Sequence, residues 1–208
     1  MSKTDENMDI LKKDVFREIA NIGAGHASNA LSMLLECPVK QNIPEVQLVH
    51  LEDMTELLGG PERIVVGVGM HISGSIRGYL LAILDFPQAE NIIEMVRNQR
   101  LEKAPEGLPF SPMDESALKE SVNIIGGSYL TAISQMTGLE IIPTAPFATL
   151  DMLGAILNLA LVQAGQESDT VMYFKSGLFS SEAGFAGDLL LIPDQQSYQI
   201  LLRSLGCL

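Results

Sequence analysis

The chain has 208 residues, 47% of them hydrophobic, enough for one large packed domain or two small ones. Its formal net charge is −13 at pH 7, which repels phosphate backbones and anionic lipid and argues against binding nucleic acid or a membrane surface. Tryptophan is absent, and the two cysteines, Cys37 and Cys207, have no metal-ligand spacing, so reduced thiols are expected and neither a metal site nor a base-stacking platform is.

The start, Met1 to Asp9, is polar; it predicts no signal peptide and a cytoplasmic protein. Residues 8 to 36 read as one long helix, closed by Pro38. With Asp14 at zero and about 100 degrees per residue, Val15, Phe16, Ile19, Ile22, Ala27, Ala30 and Leu34 fall within a broad apolar face. A strand is predicted from about Pro44 to residue 50, and a short helix at 52 to 58 ended by Gly59-Gly60-Pro61. Ile64 to Ile72 and Ile76 to Leu84 are β-rich runs around Ser73-Gly74-Ser75, a hairpin signal. Pro87 lies in the first turn of a helix to about residue 97.

Residues 98 to 112, with three prolines and mixed charges, form a linker, and the order then repeats. A helix follows Pro112 and stops at Gly138. A strand lies near 140 to 149, and Asp151 reads as the N-cap of a helix to about 164, apolar almost all round. That helix is too short to span a bilayer. Strands are predicted near 170 to 177 and 185 to 192, with Ser176 to Ser181 as a loop, and a last helix near 195 to 204. Asp85 and Asp194 read as helix caps, and His26, His50 and His71 as non-catalytic. The ten methionines are mostly core, with Met152 and Met172 as candidates for a partner surface.

The two halves resemble each other. Asp14-x3-Glu18-x2-Asn21-x22-Pro44 matches Ser116-x3-Glu120-x2-Asn123-x22-Pro146 at one offset of 102 residues. Gly25 matches Gly127 at the same offset, the mark of an internal duplication. Gly78 to Leu81 and Gly187 to Leu190 match at an offset of 109, a net insertion of seven residues. The expectation is an α+β fold in one domain. Two α-β-α-β-β-α repeats, about 8–97 and 113–206, would share a mostly antiparallel sheet about a pseudo-two-fold axis, with two long helices carrying the sites.

Glu18, Asn21 and Gly25 fall within about 60 degrees of arc with Asp14, opposite the apolar face, and Ser116, Glu120, Asn123 and Gly127 repeat the line. One solvated Glu means little, but mid-helix Asn is disfavoured, and here it recurs with the same Glu and the same glycine. One explanation is that Glu and Asn hydrogen-bond internally and hold the halves together. The other is a surface that enters a partner's active site. A carboxamide orients water without titrating near neutrality, as a Gln does in GTPases. The Glu suits a cation on the partner.

These two signatures resemble those of the CheC phosphatases, in the CheC/CheX/FliY family of chemotaxis proteins. The text around them, Ile19 to His26 and Asn123 to Leu130, is similar too. The resemblance implies dephosphorylation of phosphorylated CheY, with Asn21 and Asn123 positioning the attacking water and Glu18 and Glu120 pairing with a receiver lysine. It implies that magnesium belongs to the receiver and that this chain binds no cofactor. It also implies a second partner, the receptor deamidase CheD, with the chain a monomer or a CheD heterodimer. Asp151 and Met152, where the copies diverge, are the candidate CheD contacts. Asp14, Ser116, Gly25, Gly127, Pro44 and Pro146 are supporting residues. The alternative is a non-enzymatic flagellar-switch or chemotaxis scaffold that binds CheY or CheD.

Overall fold

A computed structural model describes residues 3–98, 101, 110–164, 170–179 and 184–208. Helix α1 (Lys3–Leu34) leads to short β1 (Lys40–Gln41) and β2 (Glu45–His50). A single 3-10 turn and α2 (Met54–Leu57) precede the hairpin of β3 (Ile64–Gly74) and β4 (Gly78–Leu84), and α3 (Phe86–Arg97) follows. The second half runs α4 (Pro112–Thr137), β5 (Ile141–Pro143), β6 (Phe147–Met152), α5 (Leu153–Ala164), β7 (Thr170–Phe179), β8 (Gly184–Pro193) and α6 (Gln195–Ser204).

Local signals set the long elements. Ser111 caps α4, its hydroxyl accepting from the Asp114 N–H, Pro112 fills the first turn, and Gly138 takes the left-handed conformation that ends the helix. Asp194 caps α6 by accepting from the Ser197 N–H at 2.6 Å. At α3 the Asp85 N–H donates to the Gln88 side chain at 2.8 Å.

All pairings in the eight-stranded sheet are antiparallel, in the order β1-β7-β8-β4-β3-β5. β2 lies on β7 and β6 on β3, so the strand after each long helix joins the hairpin of the other half. At the centre, β4 and β8 pair with Leu81 opposite Leu190, residues matched at the offset of 109. The product is a mixed α+β domain with one antiparallel sheet.

Side-chain alternation splits the sheet into two apolar faces. Leu80, Ala82 and Leu84 pack under α1, α3, α4 and α6 with Phe16, Ile19, Ile92, Val122 and Leu201. Tyr79, Leu81 and Ile83 face the smaller layer of α2 and α5, with Met54, Ile156 and Leu157. Each fully buried large apolar side chain contributes about 1.5–3 kcal/mol, so the layer under the long helices dominates. At Gly23 an added Cβ would lie 2.9 Å from the Tyr129 ring; the absent side chain lets α1 close on α4. No helix among the described residues is long and apolar enough to cross a membrane. Both cysteines are free thiols, and burial pushes the Cys207 thiol up from its usual range.

Four expectations need correction. Asp151 does not cap α5: it pairs with Val65 inside β6, and its carboxylate accepts from the Met152 N–H at 2.7 Å. The first N–H groups of α5 go instead to the carbonyls of Arg63 (from Leu153, 2.8 Å) and Pro61 (from Gly154, 2.9 Å). The single strand near 140 to 149 is two, because the segment between Pro143 and Phe147 leaves the sheet and the Thr144 N–H bonds the His71 carbonyl. Ser176 continues β7 opposite Gly187, while Ser180 and Ser181 lie outside the described residues, as does most of the predicted linker. Met172 is core, whereas Met152 is exposed.

Candidate functional site

Burial of one side of α1 fixes what the other presents. Phe16, Ile19, Ala20, Ala24 and Ala27 are buried, so Asp14 and Glu18 stand exposed with Asn21 and Gly25 half-buried beside them. On α4, Leu118, Val122, Ile125 and Tyr129 are buried, while Ser116 and Glu120 are exposed and Asn123 and Gly127 half-buried. α1 and α4 pack on one another above the sheet, so both polar lines are carried by one helical layer.

The side chains of Glu18, Asn21, Glu120 and Asn123 make no hydrogen bond or ion pair among the described residues. That removes the internal staple between the halves as an explanation for them. Asp14 meets Arg17 at 3.4 Å with both side chains exposed, a contact of little energetic consequence. At Gly127 an added Cβ would meet nothing within 4 Å, and at Gly25 only the end of the Gln41 side chain. The glycines leave the surface low beside each Asn, at a helix cost of about 1 kcal/mol each.

The other expected residues lie elsewhere. Pro44 and Pro146 directly precede β2 and β6, at opposite edges of the sheet, where no ladder N–H is required. Asp151 and Met152 end β6 and are exposed, as are the apolar Leu57 on α2 and Leu159 and Val162 on α5. A cleft of about 370 Å³ lined by Lys12, Lys13, Leu48, Val49, His50, Thr170 and Tyr198 contains none of the matched residues. The Glu/Asn lines are features of the outer helix surface, away from that cleft. One neighbour was not signalled by the sequence: Gln41, which the 102-residue offset sets against Pro143.

Comparison with solved structures gives the fold class. The chain superposes on FliY of Thermotoga maritima with a TM-score of 0.70, at 19% identity over 93% of this chain and 95% of that one. It also superposes on a chain of the CheX–CheY–BeF3–Mg2+ complex of Borrelia burgdorferi with a TM-score of 0.50, at 17% identity, covering 84% and 97%. With two long helices on an antiparallel sheet, this is the CheC/CheX/FliY class of fold. The sequence goes further: it is 32% identical over 205 residues to the CheY-P phosphatase CheC of Bacillus subtilis (strain 168), across 97% of this chain and 95% of that one. The CheC-like family model matches residues 113–150, the segment with Glu120, Asn123 and Pro146. The chain belongs to the CheC family.

Proposed function

We propose that the chain is a CheY-P phosphatase of chemotaxis, an acyl-phosphate hydrolase working in the cytoplasm. The observation that carries this is the matched Glu/Asn pair on α1 and on α4, exposed or half-exposed and without internal partners. The likeness to the CheC phosphatase supports the same reaction. Water attacks phosphorus, the bond from phosphorus to the aspartyl carboxylate breaks, and inorganic phosphate and a free carboxylate leave. The Asn21 or Asn123 carboxamide orients that water in line without acting as a strong base. Glu18 or Glu120 pairs with a receiver lysine and sets register. Magnesium is brought by the receiver. A non-enzymatic switch scaffold, the alternative on the same fold, has no need of two unengaged Glu/Asn pairs. Phosphate release from phosphorylated CheY is the direct test: acceleration by the purified chain supports the reading, and none refutes it.

The Glu residues act through binding. Glu18→Gln with Glu120→Gln should weaken affinity for a CheY carrying a stable phosphoryl mimic on the order of tenfold, and raised salt should weaken the wild type in the same direction. Equal affinities of wild type and variant at low salt would sink the lysine pairing.

CheD binding is the second part of this reading, with the chain a monomer or a CheD heterodimer. Asp151 and Met152 are both exposed at the end of β6, so the β6–α5 junction presents a charge beside an apolar side chain. Asp151→Lys should leave the fold intact, since the side chain is exposed, and lower CheD affinity tenfold or more. Calorimetric titration measures it; unchanged affinity takes the β6–α5 junction out of the interface.

A further inference from the structure

Gln41 stands on a backbone that is held from both sides. Before it, the Ser28 hydroxyl donates to the Val39 carbonyl at 2.6 Å, and the Val39 N–H donates to the Ser32 hydroxyl at 2.9 Å. These bonds tie the start of β1 to α1. After it, the Asn42 N–H donates to the Gly177 carbonyl at 3.0 Å, and the Gly177 N–H donates to the Asn42 side-chain oxygen at 2.7 Å. Those tie it to β7, where Gln41 pairs with Leu178. The Gln41 side chain itself is exposed and makes no hydrogen bond among the described residues.

Its Nε2 lies 4.0 Å from the point where a Cβ would stand on Gly25. Gly25 is one turn beyond Asn21 on the Glu18 line. A free carboxamide on a clamped backbone thus overhangs the end of the first site. Among the described residues the second site has no counterpart. The matched position is Pro143, β5 is Ile141–Pro143, and the space over Gly127 is open to 4 Å. An exposed amide without a partner adds nothing to the stability of the free chain. Its donors and acceptor are available to a molecule docked over α1.

We propose that Gln41 is a positioning residue of the first site, hydrogen-bonding the surface of the receiver docked on α1. The inference rests on the phosphatase reading and makes the two sites unequal: turnover at α1 depends on Gln41, and turnover at α4 does not. The effect is on docking, so it falls on KM rather than kcat.

The test uses the full chain in two single-site backgrounds, Asn123→Ala leaving the first site and Asn21→Ala leaving the second. Phosphate release is followed against the concentration of phosphorylated CheY. Adding Gln41→Ala to Asn123→Ala should raise KM about three- to tenfold, the scale of one hydrogen bond, with kcat within about twofold. Adding it to Asn21→Ala should shift KM by less than about twofold. Equal melting temperatures of each variant and its parent establish that the fold is kept. An unchanged KM in the first background, or the same rise in both, overturns the role of Gln41. Failure of the phosphatase reading is separate: the wild-type chain itself would then give no acceleration of phosphate release.

Discussion

Replacing Asn21 and Asn123 together by Ala should return phosphate release from phosphorylated CheY to the receiver's unassisted rate, a loss of roughly 10²-fold or more in the assisted rate. Both side chains are half-buried on the outer faces of α1 and α4 and bond to nothing among the described residues. Their removal therefore breaks no internal hydrogen bond or ion pair, and Ala is the better helix former, so the melting temperature should hold or rise slightly. What is lost, on the proposed mechanism, is the group that holds water in line with the bond to be broken. The single variants divide the effect between the sites, and each should keep the activity of the other. Phosphate release by single turnover, at saturating variant, reads the chemical step apart from docking. A double variant with wild-type turnover would remove the carboxamides from the mechanism.

The Glu/Asn lines were legible because the same residue types recur at one fixed offset in the sequence. A single Glu18 would be indistinguishable from any solvated side chain, but a match at a fixed offset separates it from chance. Helix ends were legible where their causes are local: Pro112 and Gly138 bound α4, and Asp85 and Asp194 precede α3 and α6. Asp151 misled because its helix is capped from afar. The carbonyls that receive the first α5 N–H groups belong to Pro61 and Arg63, on the other half of the chain, and no local pattern announces them. The exchange of β2 and β6 between halves is likewise a matter of long-range pairing. Gln41 was invisible for the opposite reason to the Asn residues: the 102-residue offset sets it against Pro143, so the recurrence is silent there.

The largest stability effect should come from Asp114, which orients the helix that carries the second site. It is fully buried, at 0% exposure, in the first turn of α4. Arg97, at the end of α3 and only 13% exposed, pairs with its carboxylate. The Ser111 hydroxyl donates to the same carboxylate at 2.8 Å and accepts from the Asp114 N–H at 3.2 Å. The pair thus joins the end of the first half to the start of the second, two residues before Ser116 and six before Glu120. Asp114→Ala would break the ion pair of a fully buried carboxylate with the mostly buried Arg97 guanidinium, and breaking a buried pair typically costs about 3–5 kcal/mol. For a domain of this size that lowers the melting temperature by roughly 10 °C. Removing both charges with apolar residues of similar volume, Arg97→Met with Asp114→Leu, should recover most of the loss, because an apolar pair needs no desolvation of ions. Activity per folded molecule should persist in the double variant at the first site, which stands on α1. Chemical denaturation of the three proteins measures the effect. If Asp114→Ala is as stable as the wild type within about 0.5 kcal/mol, the scale of an ordinary surface substitution, the buried pair does not anchor α4.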